Sequence, residues 1–232
     1  MRGVALAGLA FMIGCGSSRA EPPAAAPVPS APPGEVRAVA ANELEVTHGT
    51  VLADGAGLRI EHPAVRAVIP GAHGDTAELR FVYAGPTAKR VALASGEMRG
   101  QVGLKLRADD GCNLVYVMWR LGHGVVVSIK RNPGDRVHAE CGTRGYRNLR
   151  PERRIAVAMP EIGSAHRLEA TIVDGVLTAR LDGRQVWRGR LGALARGLEG
   201  APGLRTDNVV LEDIELRADV PARVGVAAAP GR

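Results

Sequence analysis

The segment His138-Ala139-Glu140-Cys141 groups several residue types that can do chemistry. His-x-Glu is half of a zinc-deaminase signature, but the Pro-Cys-x-x-Cys half that would complete such a site is missing. A zinc site built from Cys112, His138 and Cys141 would need a fourth ligand, and these residues lack the paired spacing of structural zinc motifs. No metal is therefore expected. Gly-x-Ser-x-Gly and His-Glu-x-x-His are both absent, which removes the usual markers of serine hydrolase and zincin chemistry. The chain also has no P-loop and no Gly-x-Gly-x-x-Gly following a strand, so no cofactor is expected. The six histidines are scattered, mostly beside glycine or proline in turns.

Binding offers more candidates than catalysis. Sugars stack on aromatic rings and take hydrogen bonds from planar polar groups, and aromatics make up only 3% of this chain. Trp119 followed by Arg120 could form such a platform, although a tryptophan within an apolar strand also serves as core. Tyr116 and Trp119 have opposite parity, so at most one of them faces the core of a regular strand. Tyr146 lies in GTRGYRNLRPERR, residues 142 to 154, among Arg144, Arg147, Arg150, Arg153 and Arg154. This basic cluster could meet an acidic glycan, lipid headgroups or a partner's carboxylates, or be a solvated loop. Trp119, Arg120, Arg144, Tyr146 and Arg147 are thus the candidate ligand contacts. Asp109-Asp110-Gly111 and Asp207-Asn208 could supply calcium oxygens, and turn chemistry explains both equally well.

Composition bounds the partners. The 46% hydrophobic content suffices for a core, and 232 residues allow one sizeable domain or two small ones. The net charge is +6, from 27 arginines and three lysines against 24 acids. Those acids alternate with arginine along most of the chain. Nucleic-acid binding wants basic residues clustered among aromatics, so no nucleic-acid partner is expected.

The N-terminus points to export. Arg2 precedes an uncharged apolar stretch, VALAGLAFMIG, which as a helix would span only about 17 Å and is too short to cross a bilayer. It suits the apolar part of a signal peptide. Met12-Ile13-Gly14-Cys15 resembles the lipobox of bacterial lipoproteins, in which a small residue precedes the lipidated cysteine. The resemblance implies a signal peptide over 1–14, lipidation at Cys15 and a membrane anchor. Met12 and Ile13 depart from its commonest residues, and an ordinary secretory leader cut after Ala20 is the alternative. Gly16, where a retention signal would place Asp, matches the outer-membrane pattern of such lipoproteins. Residues 15–42 then form the lipidated end and a Pro/Ala-rich linker, whose prolines favour an extended tether. With Cys15 lipidated, Cys112 and Cys141 remain as one pair for an oxidising compartment. On the chain-entropy model a disulfide between them would contribute about 3.6 kcal/mol. It requires NPGD, residues 132–135, to be a wide loop that brings Cys141 back to Cys112.

The body of the chain, residues 43–219, reads as strands. Val102, Leu104 and Leu106 alternate with polar neighbours, as do Leu168, Ala170 and Ile172, then Leu177, Ala179 and Leu181. Asp174-Gly175 and Asp182-Gly183 are strong hairpin signals. Further strands are expected over 78–85, 113–121, 124–131 and 209–218, with one short helix near 191–197. Residues 220–232 read as a disordered tail. Many short strands with one apolar face each argue for an antiparallel β-sandwich.

HRLEATIVDGVLTARLDGRQVW (166 to 187) and GAPGLRTDNVVLEDIELRA (200 to 218) resemble the late strands of concanavalin A-like lectin/glucanase jelly rolls, and EMRGQVGLKLRADDG (97 to 111) resembles an earlier strand of that fold. The resemblance implies an all-β jelly roll and, in many members, carbohydrate recognition or cleavage. Members resembling laminarinases carry a Glu-x-Asp-x-x-Glu strand that sets two carboxylates about the scissile bond. The nearest run here, Glu212, Asp213 and Glu215, lacks that order and reads as a charged strand edge. The GLR-x-DN ending is shared with 3-keto-disaccharide hydrolases, which keeps a glycosidase as one alternative. A structural envelope protein that binds other proteins is another. The expectation is a non-catalytic, carbohydrate-binding sandwich on a lipid anchor at the cell envelope.

Overall fold

The computed structural model describes residues 35–55 and 57–221; Cys15, the leader, most of the linker and the tail from 222 lie outside the described residues. The strands are β1 (Glu35–Ala38), β2 (Glu45–His48), β3 (Leu52–Asp54), β4 (Gly57–Ile60), β5 (Ala64–Val68), β6 (His73–Pro86), β7 (Gln101–Arg107) and β8 (Leu114–Arg120). After β9 (Gly124–Lys130) come the single-turn α1 (His138–Cys141), β10 (Tyr146–Asn148), β11 (Arg153–Arg154) and β12 (Ser164–Val173). β13 (Val176–Leu181), β14 (Arg184–Arg190), β15 (Gly200–Asp207) and β16 (Val209–Val220) complete the chain.

Two sheets form, and every strand pair among the described residues is antiparallel. One runs β11-β14-β13-β12-β6-β16-β4-β3, with β1 also on β16; the other runs β10-β9-β8-β7-β15-β5-β2. The alternation places the apolar residues between them. Leu168, Ala170, Leu177 and Ala179 from the first sheet, and Val102, Leu104, Val115 and Val117 from the second, belong to one buried core. The Asp-Gly pairs make the expected hairpins. Asp174 and Gly175 have φ of 50° and 71°, and Asp182 and Gly183 have 52° and 79°, so both central residues of each turn are left-handed.

The sandwich begins earlier than composition suggests. Residues 35–42, grouped with the linker for their proline-rich surroundings, supply β1, which pairs with β16 from Glu35↔Val220 to Ala38↔Arg217. Arg37 then bonds Glu43 at 2.6 Å across a short 3-10 turn. The expected helix near 191–197 is a 3-10 turn, Ala193–Ala195.

Cys112 and Cys141 are joined in a disulfide, with Cα atoms 5.9 Å apart. The connection between β9 and β10 turns back as that bond requires. Gly111 N–H donates to Arg136 O at 3.1 Å, and Asp110 Oδ1 accepts from the backbone of Cys112 and Asn113 at 2.7 and 2.8 Å. Asn132 Nδ2 reaches Cys112 O and Arg144 O at 3.2 and 3.1 Å. This connection delivers Tyr146 to the outer face of the second sheet.

Candidate functional site

A groove of about 1100 Å³ runs over the outer face of the seven-stranded sheet, at the upper end of the roughly 300–1,000 Å³ typical of small-molecule sites. Its floor consists of the residues that alternate with the core. Lys105, Tyr116, Ser128 and Asn148 form one row, through the register Lys105↔Tyr116, Tyr116↔Ser128 and Ser128↔Asn148. A second row runs His48↔Arg66, Arg66↔Arg205, Arg205↔Gly103 and Gly103↔Met118. Ala108, Leu114, Tyr116 and Met118 make a small apolar cluster apart from the main core.

Two glycines keep the floor open. Lys105 lies across from Gly203, and Arg205 across from Gly103, so each long cation faces a residue with no side chain. A Cβ at Gly103 would lie 2.1 Å from Val117 O, and one at Gly203 would lie 2.1 Å from Ala67 O. Both positions therefore exclude any larger residue without movement of the neighbouring strand.

The floor is strongly basic. Arg66 Nη2 and Arg205 Nε bond opposite oxygens of the Asp207 carboxylate at 2.5 and 2.9 Å, and Gln101 Nε2 adds a donor at 2.6 Å. Asp207 is buried, so its charge is held by these three groups. Lys105 is only 5% exposed. Burial, then the nearby Arg66 and Arg205 charges, lower its pKa to about 7, against a smaller opposing pull from Glu45. Lys130 is fully buried behind the rim; its ammonium donates to Gly111 O at 3.1 Å and lies 3.2 Å from His138 Nδ1. Burial, then Arg205, brings its pKa to about 8.

The aromatic wall is a pair. Tyr116 and Tyr146 stack with centroids 5.9 Å apart and planes 18° from parallel. The Arg205 guanidinium lies 4.9 Å from the Tyr116 centroid and donates to Tyr146 Oη at 3.3 Å. Lys130 Nζ sits 5.3 Å from the Tyr146 centroid. Tyr116 is buried, and burial raises its pKa, whereas Tyr146 remains 38% exposed at the rim.

Of the candidate contacts, Arg120 and Tyr146 line the groove. Trp119 does not. It is 1% exposed in the main core, 4.9 Å from the His166 ring and 6.4 Å from Phe81, because it shares parity with Val115 and Val117. The aromatic that faces the groove on this strand is Tyr116. Arg144 is on the loop exterior, bonding Asp135 at 3.0 Å. Arg147 pairs with Ile129, on the opposite side of β10 from Tyr146 and Asn148. The arginines that build the site, Arg66 and Arg205, sit singly in short strands, and only the register of β5 against β15 brings them together.

The possible calcium ligands are occupied by turns. Asp109 Oδ1 accepts from Glu199 N and Gly200 N, and the Asn208 amide bonds Val91 and Arg99. Among the described residues no three His, Cys, Asp or Glu side chains gather as a metal cluster. Glu212 and Glu215 lie in the other sheet, bonded to Arg59 and Arg217. A Ser-His-Asp line not evident from motifs also occurs. Ser164 Oγ is 2.7 Å from His166 Nε2, and His166 Nδ1 is 2.9 Å from Asp182 Oδ2. Ser164 Oγ also donates to Glu161 O at 2.5 Å.

The carbohydrate binding module CBM66 from Bacillus subtilis superposes with a TM-score of 0.51 at 13% identity, over 76% of this chain and 96% of that one. The sandwich is an antiparallel jelly roll. A Crh5 transglycosylase (TM-score 0.47, 14% identity, 82% of this chain and 88% of that) and Xenopus laevis galectin-Ib (0.39, 14%, 63% and 96%) also match. No protein-family profile and no curated sequence matches the chain.

Proposed function

We propose that this jelly roll is a non-catalytic carbohydrate-binding domain, exported and held at the cell envelope through a lipid on Cys15. One observation carries the binding half: the groove over the seven-stranded sheet combines an aromatic pair, Tyr116 and Tyr146, with planar donors from Arg66, Gln101, Asn148 and Arg205. Stacking faces beside planar polar groups are what a sugar ring requires. The name of the Bacillus subtilis module supports the same ligand class.

Binding is favoured over cleavage by how the groove's carboxylates are used. Hydrolysis needs two carboxyl groups free to reach either side of the bond. Asp207 is held by three donors and Asp109 and Asp110 tie down turns, which leaves Glu45 on β2 as a single carboxylate without a second to act beside it. The anchor is supported by the Met12-Ile13-Gly14-Cys15 pattern and the proline-rich segment after it.

A glycan array probed with the full chain carrying Cys15→Ser tests the binding half, with Tyr146→Ala as the matched control. A sugar signal that weakens in the control is expected; equal signals would place binding elsewhere. Mass spectrometry of the mature N-terminus tests the anchor, with a lipidated Cys15 expected. An unmodified end beyond residue 15 would refute it.

A further inference from the structure

We propose that the groove is specific for acidic sugars, and that Lys105 and Arg205 receive the carboxylate of a uronic acid unit between the tyrosine pair and Arg66. This inference rests on the groove being the carbohydrate site proposed above.

The groove floor holds like charges in an arrangement that is unfavourable without a ligand. Arg66 and Arg205 are direct cross-strand partners, a placement that costs energy for like charges. Lys105 is the diagonal neighbour of Arg205 on the same face, through Lys105↔Gly203, with Arg66 one strand further on. Asp207 offsets one of these charges, leaving the floor with a surplus of positive charge.

Donors are left over as well. Lys105 is 95% buried, lines the groove and takes no hydrogen bond or ion pair among the described residues. Its stem is buried while its ammonium opens to the groove, where an anionic acceptor would gain a charge-assisted bond. On Arg205, Nε goes to Asp207 and Nη1 to Tyr146 Oη, while Nη2 takes no partner among the described residues. Arg66 already gives Nη1 to Val65 O and Thr206 O and Nη2 to Asp207, so it adds mainly its positive field to this spot.

The free Lys105 ammonium and the Nη2 edge of Arg205, each across from a glycine, match an anionic substituent whose oxygens accept from both. The same floor already holds one carboxylate, that of Asp207, through Arg66 and Arg205. Tyr116 and Tyr146 then supply the wall for the ring that carries the acid.

Isothermal titration of the full chain carrying Cys15→Ser tests this, with oligouronates of gluco, manno and galacto configuration as ligands. Each is run beside its carboxyl-reduced neutral counterpart and beside sulfated oligosaccharides of similar length. At least one oligouronate is expected to bind, with its neutral form about 10- to 100-fold weaker. Lys105→Met is expected to shrink the ratio between the acidic and neutral affinities at least fivefold, and Lys105→Arg to restore part of it. If neutral and acidic forms bind equally, acid specificity fails and the carbohydrate reading stands. Tighter binding of the sulfated ligands would overturn the carboxylate assignment. If no saccharide in the panel or on the array binds, both readings fail.

Discussion

Arg66 and Arg205 face each other directly across β5 and β15, and both bind the single carboxylate of Asp207. The groove therefore depends on one buried acid for its own stability. Removing one member of such a group leaves the others' charges uncompensated in a poorly hydrated place. Asp207→Asn should destabilise the fold by about 3 kcal/mol, read as a lower midpoint in denaturant. Asp207→Glu should not rescue it fully, because the longer side chain displaces the fork that Arg66 and Arg205 make.

Lys105 should act in the opposite direction. Its folded pKa of about 7 lies below the usual lysine value, so between about pH 7 and 10.5 the unfolded chain binds more protons than the folded one. Stability then rises with pH across that window, by at most about 1.4 kcal/mol per unit for this group. Arg66 on β5 and Arg205 on β15 reinforce the effect, and Glu45 on β2 opposes it. Lys105→Met should raise stability at pH 7 by about 1–4 kcal/mol, and the gain should shrink towards pH 10. Thermal melts of both proteins across that range would show it. A variant no more stable than wild type would mean the ammonium is already well solvated.

The disulfide should matter to the groove and to the fold alike. Cys141 lies five residues before Tyr146, and its bond to Cys112 pins the connection that carries the tyrosine to Tyr116. Replacing both cysteines with alanine should cost about 2–4 kcal/mol and weaken sugar binding by loosening the rim. Denaturant titration with and without reductant, followed by calorimetry with ligand, separates the two effects.

Much of the fold was legible because its signals are local. The Asp-Gly turns and the alternation in β7, β12 and β13 depend on neighbours in the chain. The disulfide followed from counting cysteines. The site was less legible, since its parts meet only through sheet register. Arg66 and Arg205 are 139 positions apart in the numbering, and nothing in either segment marks them as a pair. Trp119 attracted attention by residue type, yet parity sends it inward and leaves Tyr116 facing the groove. The arginine-rich run at 142–154 looked basic as a sequence, but what it brings to the groove is Gly142, Thr143, Tyr146 and Asn148.

That contrast separates two aromatic substitutions. Trp119→Ala removes a large side chain from the main core and should cost about 3–5 kcal/mol. Tyr146→Ala removes a rim residue that is 38% exposed, so its effect on melting should be small and its effect on ligand affinity large. Calorimetry and melting on both variants would reveal a reversal of this order, which would move the site away from the seven-stranded sheet.

The Ser164-His166-Asp182 line makes the last test, because its spacing alone matches a hydrolytic triad. The hydrogen bonds argue otherwise. A carbonyl oxygen can only accept, so the 2.5 Å contact to Glu161 O takes the single hydroxyl proton of Ser164. His166 Nε2 then faces a lone pair of that oxygen in place of the proton a general base would remove. The His166 ring also packs edge-on against Trp119 and beside Phe81, as a side chain closing the end of the core would. A fluorophosphonate probe should therefore leave the intact mass of the protein unchanged. Ser164→Ala should cost only about 1 kcal/mol of stability and leave sugar affinity as it was. A covalent adduct on Ser164 would instead show that the hydroxyl can leave Glu161 and turn to the histidine, and hydrolysis would have to be considered at this end of the sandwich.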